Sequence, residues 1–465
     1  MIRLFQQYIP IRKLIFIIGE GTLIFLAVTL TAFLILGRNV GFLDTIILIW
    51  PRVLLVTLIT QISLYFNELY EFKKTDRNLD LAARLIQAIG ITSIALALVY
   101  SLWPSMIVGR WIFFISVIVL LFFVVSWRFL YALVIRKKLF TEKAVIVGSG
   151  ELIKDILYEI REKRDNNFNI EFLVMNNNGN DQDQKMKGIP IHRGFDNIFD
   201  LVSEKNIYNI IVAFDEKRGI FPYKQLLECK VNGINIIDGV TFYERITGKL
   251  LVEKINPSWF IFSDGFKKSH ISRLVKRIKG LTLSSIMLIL LSPFMLLVAI
   301  IIKLDSKGPV LFSQERVGED EKPFLLYKFR SMRTDAEAKS GPVWAQENDP
   351  RVTRVGGVMR KLRIDELPQL WNVFKGEMSF VGPRPERKFF VDDLKKKIPY
   401  YRERFTVKPG VTGWAQIRYP YGATEKDALE KLKYDLYYIK NMSIAFDFMV
   451  IFQTVKTVLL GKGAR

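Results

Sequence analysis

The chain has 465 residues, half of them hydrophobic, with a mean hydropathy of +0.20 and a net charge of +21 from 67 Lys and Arg against 46 Asp and Glu. Its one cysteine, Cys229, excludes an intrachain disulfide, and only two histidines, His192 and His270, argue against a His-rich metal site or a Ser–His–Asp triad. Apolar content this high points to a membrane protein whose cations face an anionic leaflet or phosphorylated substrates; no zinc-finger spacing or RNA-binding motif supports nucleic acid as the partner.

Four apolar segments come first, at about 14–36, 42–66, 81–103 and 111–135. Each is long enough to cross about 30 Å of hydrocarbon. The first is too long for a cleaved signal peptide, and no small-residue cleavage site follows it. Arg3, Arg12 and Lys13 precede the first segment, Lys73, Lys74 and Arg77 separate the second from the third, and Arg136, Lys137 and Lys138 follow the fourth. The other two connections carry only Arg38 and Arg110. The excess of cations on one side predicts a four-helix transmembrane bundle over 1–140 with both ends in the cytoplasm. Arg52 and Arg84 read as side chains that snorkel to the interface.

Residues 141–250 alternate in pattern. KAVIVGSG reads as a buried strand and a glycine turn, and ELIKDILYEIREK as the next helix. IEFLVM, NIIVAF and INIID are further strands, with helices around FDNIFDLVSEK and FPYKQLLECK. Strands alternating with helices predict a parallel sheet and a Rossmann-like cytoplasmic domain. Gly148-Ser149-Gly150 resembles a dinucleotide turn, but Ile153 stands where the third glycine belongs. A spacer or dimerisation module without bound cofactor is expected.

A linker at 251–270 leads into the last region, 271–465. It opens with LTLSSIMLILLSPFMLLVAIIIKL, at 281–304, uncharged until Lys303. Ser292-Pro293 sits at its centre, where proline interrupts the hydrogen-bond ladder. Lys276, Arg277 and Lys279 precede the segment and Lys303, Lys307 and Arg316 follow it. A re-entrant helix broken at Ser292 and Pro293 keeps both basic flanks on one side.

Beyond it, RIDELPQLWN sets Asp365 and Glu366 among many cations. Asp365 reads either as a helix N-cap, with Pro368 in the first turn, or as a carboxylate for phosphoryl chemistry. Arg384, between the prolines of GPRPE, reads as a phosphate ligand or as part of a surface turn, and Arg363, next to the acids, as a phosphate ligand. Arg330 and Arg333 in KFRSMR either bind phosphate or pair with Asp335 and Glu337; Arg316, beside Gln314, is similar. KPGVTGWAQIR, with Lys408, is either a nucleotide-side loop or structural. Asp435 and Asp447 read as helix caps before metal ligands. The aromatic and basic run 386–405 suits a membrane surface or a solvated helix face, and the tail 444–460, broken by Asp447, Gln453 and Lys456, an interfacial or core helix.

Taken in order, GPVLFSQERVG, FLLYKFRSMRTDAE, TRVGGVMRKLRIDELPQLWNVFKGEMSFVGPRPE and KPGVTGWAQIR resemble the bacterial sugar transferase superfamily, the monotopic polyprenyl-phosphate phosphoglycosyl transferases. The preceding segments resemble its large members, and FYERITGKLLVEKINPSWFIFSDGF at 242–266 resembles the exopolysaccharide-associated branch. The resemblance implies a membrane-docked α/β catalytic domain in the bacterial inner membrane. It also implies transfer of a sugar 1-phosphate from a UDP-sugar, glucose first, to undecaprenyl phosphate in the bilayer, with magnesium and release of UMP. Asp365 would attack phosphorus and form a covalent aspartyl intermediate, and Glu366 would help hold the metal. Many members carry Asp where Gly280 stands here. The oligomeric state is left open, a homodimer included. The rival readings are an NAD-dependent sugar-nucleotide modifying enzyme and a non-catalytic membrane scaffold; nucleotide release from a sugar donor separates the three.

Overall fold

The computed structural model describes residues 2–459 except 5–6, 37–41, 72–77, 108–109, 138–140, 163–167, 177–184, 187, 216–220, 256–260, 262–264, 267–269, 335, 337–348, 420–421 and 423. Arg38, Lys73, Lys74, Arg77, Lys138, Asp335 and Glu337 therefore lie outside the described residues. The chain divides into two compact units, Met1–Arg3 with Tyr8–Gly239 and Leu4–Gln7 with Val240–Arg465.

The first unit begins with four apolar helices: α1 (Ile11–Leu36), α2 (Phe42–Phe66), α3 (Asn78–Leu102) and α4 (Arg110–Arg136). Each is long and apolar enough to cross a membrane. Their pattern is inverted relative to a water-soluble bundle. Leu34, Ile47, Ile86, Phe122 and Phe129 are exposed, while Ala27, Ala32, Ala88, Thr31 and Thr60 are buried. Small buried residues let helix backbones approach closely in lipid. The threonine hydroxyls need no partner helix: Thr31 donates to Ala27 O at 2.8 Å and Thr60 to Val56 O at 2.7 Å.

Two of the charges within these helices pair with each other. Glu20 of α1 is fully buried and meets Arg128 of α4 at 2.7 Å. Arg128 also donates to Leu69 O at 2.7 Å, just past α2, and its guanidinium lies 5.4 Å from the Phe16 ring. One cation thus ties α1 and α4 to the end of α2. An ionised carboxylate in a dry bundle is tolerated only with such a partner.

A six-stranded sheet follows: β1 (Glu142–Ser149), β2 (Phe168–Met175), β3 (Lys185–Met186), β4 (Ile189–Arg193), β5 (Asn209–Phe214) and β6 (Asn235–Asp238). The order is β3-β4-β2-β1-β5-β6, parallel except for the β3–β4 pair. Helices α5 (Glu151–Glu162), α6 (Ile198–Glu204) and α7 (Tyr223–Val231) connect the strands. The parallel sheet is as the alternating pattern predicts. Strand β1 buries five consecutive residues, the mark of a strand covered on both faces.

The second unit is organised on α8 (His270–Asp305), 36 residues long. It begins well before the apolar stretch, because its basic first turns bind the rest of the unit. Arg277 donates to Val373 O and Phe374 O at 2.9 and 2.8 Å, and Lys276 to Val381 O at 3.0 Å. At the other end, Val298 and Ile302 pack with Phe329 and Met359. The helix is not interrupted at Ser292-Pro293: it runs through both residues with the proline inside it, where a proline bends a helix without ending it. Pro293 cannot donate to the carbonyl four residues back, Ile289 O, but Ser292 Oγ donates to it instead at 2.8 Å. The serine replaces the hydrogen bond that the proline removes.

After α8 come the antiparallel pair β7 (Leu311–Val317) and β8 (Pro323–Phe329), then α9 (Arg354–Lys361) and α10 (Gln369–Lys375). Next are β9 (Ser379–Val381), α11 (Lys388–Lys397) and β10 (Gly410–Thr412), with β9 and β10 parallel. Helices α12 (Glu425–Lys440) and α13 (Ile444–Leu459) close the unit. Its core gathers Tyr401, Trp414, Tyr437, Tyr438 and Phe446. Helix α13 buries Phe446 and Val450 there and leaves Phe448 exposed, and α11 buries Val391 and Leu394 while exposing Phe389.

The buried pair in the helices sets a test. Arg128→Met strands the Glu20 carboxylate, and should cost about 3–5 kcal/mol of stability in detergent. Removing both charges, Glu20→Leu with Arg128→Met, should recover most of that loss, as read by thermal unfolding.

Candidate active site

Asp365 and Glu366 occupy a single 3₁₀ turn, Ile364–Glu366, between α9 and α10. Helix α9 starts at Thr353, whose hydroxyl accepts Gly356 N at 3.0 Å, and stops at Leu362. Arg363 then turns the chain with a left-handed backbone, φ 56°. Both acids are buried. Asp365 caps no helix: α10 begins at Pro368 without a side-chain cap. The N-cap alternative is therefore not what places this acid.

Glu366 is surrounded by cations from three segments. Its Oε1 accepts from Arg384 at 2.7 Å and from Lys328 at 3.1 Å, and Arg363 lies 3.5 Å from Oε2. Burial opposes its ionisation, but Arg384, Lys328 and Arg363 together hold it well below the usual glutamate range. Burial lifts Asp365 above its ordinary value, with Lys328 opposing and Glu366 adding to the rise. Burial likewise pulls the Lys328 ammonium down, while Glu366 favours its charged form. Two adjacent carboxylates are thereby made unequal. Glu366 is matched by cations, whereas Asp365 accepts no hydrogen bond among the described residues.

Each cation is set by its own local structure. Lys328 lies on β8, whose free edge is completed by a side chain: Asn372 of α10 donates to Leu325 O at 2.6 Å and accepts from Tyr327 N at 3.1 Å. That amide is fully buried and fixes β8 beside the acid turn. Arg384 rides on Gly382-Pro383-Arg384-Pro385, which packs on the start of β10. A Cβ on Gly410 would lie 2.1 Å from Gly382 N, so the two backbones touch only because both are glycines.

The remaining expected site residues fall in four places. Arg316 is at the rim, donating to Gln314 Oε1 at 2.7 Å and to Pro385 O at 3.4 Å. Arg330 is not at the acids. It is buried, and its guanidinium donates to Ser306 O, Ser306 Oγ and Lys307 O, closing the C-terminal end of α8. Arg333 is exposed and forms no ion pair among the described residues, which do not include Asp335 or Glu337. Lys408 donates to Gly376 O at 2.6 Å, at the end of α10. In KPGVTGWAQIR, Trp414 is in the core and donates to Gly248 O at 2.8 Å. Asp447 accepts from Tyr438 at 2.6 Å and lies 3.4 Å from Lys276. Lys328 is the residue that sequence reasoning missed; its signal was one lysine inside the apolar strand PFLLYKF.

Against known proteins, the model of the family described as bacterial sugar transferase matches residues 271–461. The exopolysaccharide production protein PSS of Rhizobium leguminosarum bv. phaseoli is 46% identical over 185 residues, covering 38% of this chain and 91% of that protein. The chain belongs to the bacterial sugar transferase family. The UDP-N-acetylgalactosamine-undecaprenyl-phosphate N-acetylgalactosaminephosphotransferase of Aeromonas hydrophila is 43% identical over 240 residues, 52% of this chain and 56% of its own. The UDP-glucose:undecaprenyl-phosphate glucose-1-phosphate transferase of Escherichia coli (strain K12) is 43% identical over 200 residues, 42% of each chain. The chain thus matches about half the length of these two relatives.

A second family, described as a CoA-binding domain, matches residues 65–237. The phosphates of such a ligand would be expected on the helix N-terminus after the glycine turn. Here the chain fills that place itself: Asp215 accepts Glu151 N at 2.8 Å and Leu152 N at 3.3 Å, at the start of α5. A carboxylate already on those amides repels a second anion, so the residues present do not fit a diphosphate there. A ligand at 100 times its Kd would stabilise the protein by about 2.7 kcal/mol. Coenzyme A and NAD at millimolar concentration should leave the thermal midpoint of the intact protein unchanged.

Proposed function

We propose that this protein transfers a sugar 1-phosphate from a UDP-sugar to undecaprenyl phosphate at the cytoplasmic face of the bacterial inner membrane, releasing UMP. The observation that carries this reading is the inequality of the two acids. Asp365 is buried and accepts no hydrogen bond among the described residues, beside a glutamate whose charge Arg384, Lys328 and Arg363 already match. A carboxylate needs no base to attack phosphorus once cations screen the repulsion.

In the first step an Asp365 carboxylate oxygen bonds to the phosphorus nearest the sugar. The pyrophosphate P–O bond breaks, and UMP leaves with the bonding pair. In the second step an oxygen of undecaprenyl phosphate bonds to that phosphorus and the aspartyl P–O bond breaks, restoring Asp365. Arg384 and Lys328 stand where the charge of donor and leaving group would gather. Magnesium completes the proposal. Among the described residues no cluster of three or more acidic, His or Cys side chains is placed to hold a metal. Asp365 and Glu366 would supply two carboxylates and the donor phosphates the rest, which suits an ion that keeps few protein ligands. When bound, the metal neutralises phosphate charge. Our first donor is UDP-glucose, on the resemblance of residues 242–266. Because the relatives split between glucose and N-acetylgalactosamine at equal identity, both belong in the donor panel. The pathway we infer is exopolysaccharide or O-antigen assembly.

The same reading makes α8 re-entrant. Its first turns and the residue that follows its last turn are both bonded to the rest of the same unit, through Lys276 and Arg277 at one end and Ser306 at the other. A unit on one side of the bilayer holding both ends supports entry and exit on that side. Single cysteines at Arg273 and Lys307, in a Cys229→Ser background, should both be labelled only from the cytoplasm. Periplasmic labelling at Lys307 would mean a fifth crossing.

The covalent step has a test without lipid. Donor and magnesium alone should let labelled UMP exchange into UDP-sugar and leave sugar phosphate on the protein. Asp365→Asn should abolish exchange and turnover while the protein stays folded, and Glu366→Gln should lower the rate and alter the magnesium dependence. Brisk turnover by the unaltered protein, with neither exchange nor adduct, would refute the nucleophile.

A further inference from the structure

A buried ion pair touches the backbone of Arg384. Arg404 and Asp435 are both buried, and Arg404 Nη2 meets Asp435 Oδ2 at 3.0 Å. The same Nη2 donates to the backbone carbonyl of Arg384 at 3.0 Å, and Nη1 donates to the Tyr401 hydroxyl at 2.6 Å. Burial pushes the Asp435 carboxyl up to about 6, against the pull of Arg404.

The sequence of the loop explains why it needs a foreign donor. Pro383 and Pro385 carry no N–H, so two of the loop's own donors are missing. Its carbonyls are instead held one by one from elsewhere. Pro383 O accepts Gly410 N at 2.9 Å, Arg384 O accepts Arg404, Pro385 O accepts Arg316, and Glu386 O accepts Val317 N at 3.0 Å. Of these donors, only Arg404 acts on the residue whose side chain reaches Glu366.

We propose that Arg404 and Asp435 form a positioning pair, which fixes the Arg384 backbone so that its guanidinium meets Glu366. The pair touches neither acid of the site. It acts through one carbonyl, and Asp435 on α12 fixes the guanidinium that grips it. The proposal rests on the transferase reading for its kinetic consequence, but not for its structural one.

The test replaces both charges at once, Arg404→Met with Asp435→Leu. Removing a buried pair together is often neutral for folding, unlike removing one partner. We expect a thermal midpoint near that of the unaltered protein and turnover lower by about 10²-fold, the scale of a 1 Å misplacement. In an Arg384→Lys background the same pair of substitutions should cost much less, because the side chain it aims is already altered. Equal fold-losses in both backgrounds would overturn the proposal. Hydrogen exchange gives a readout without turnover. Amides of 379–388 should exchange faster in the doubly substituted protein, with the rest of the unit unchanged; unchanged exchange at 379–388 would also overturn it. If the unaltered protein releases UMP from no UDP-sugar, the transferase reading fails, and the exchange experiment still decides the role of the pair. A single substitution, Arg404→Lys, covers the case in which the double variant does not fold. It keeps a charge for Asp435 but cannot span all three acceptors, and should speed exchange over the same residues; no change there counts against the pair.

Discussion

The active-site half of this protein depends on burying Glu366 as an anion. A carboxylate out of water is costly unless hydrogen-bonded cations replace its hydration. Glu366 takes Lys328 from a strand, Arg363 from a left-handed turn and Arg384 from a proline-flanked loop. Each donor must therefore arrive from a different part of the chain at a fixed point. That requirement accounts for devices that otherwise look unrelated. Asn372 substitutes for a missing strand, Gly382 lies against Gly410, and Arg363 adopts a positive φ. Once Glu366 is matched, the neighbouring Asp365 is left buried and available.

The sequence made visible whatever depends on short range. Apolar runs, the alternation of strands and helices, and the adjacency of Asp365 and Glu366 all lie within windows of a few residues. What it hid depends on pairing across the chain. Lys328 is a single lysine inside an apolar strand, and Arg330, two residues on, reads from the sequence as either a phosphate ligand or the partner of an acid. They diverge because Lys328 reaches the acid turn, whereas Arg330 reaches back to Ser306 at the end of α8. Glu20 and Arg128 were passed over for the same reason. Each is a lone charge in an apolar helix, and only the packing of α1 on α4 turns them into a pair.

Proline and glycine signals were legible in kind but not in consequence. A proline in the middle of α8 reads as a break, yet the preceding serine donates to the carbonyl that the proline leaves open. The Gly148-Ser149-Gly150 turn resembles a dinucleotide turn without its third glycine, and Asp215 already occupies the amides that an anion would use. In both cases the motif states a need, a donor here and an acceptor there, and a residue within the same unit meets it. A motif identifies an unsatisfied group; it does not say whether ligand, solvent or the chain itself will satisfy it.

The same distinction applies to the charge of +21. Read from composition, the excess cations belong to phosphates and an anionic leaflet. In the structure several are committed elsewhere. Arg277 binds the carbonyls of Val373 and Phe374, Lys408 that of Gly376, Arg330 that of Ser306, and Arg404 that of Arg384. The first three sets of carbonyls lie at the ends of α10 and α8, where the helix leaves acceptors without intrahelical donors and the dipole favours a cation. A long side chain can cap such an end from a distant segment, so each contact also ties two parts of the fold together. Net charge therefore overstates the number of groups available to substrate. The cations that face the candidate site are those that meet Glu366, and those that meet a helix-end carbonyl hold the fold around them.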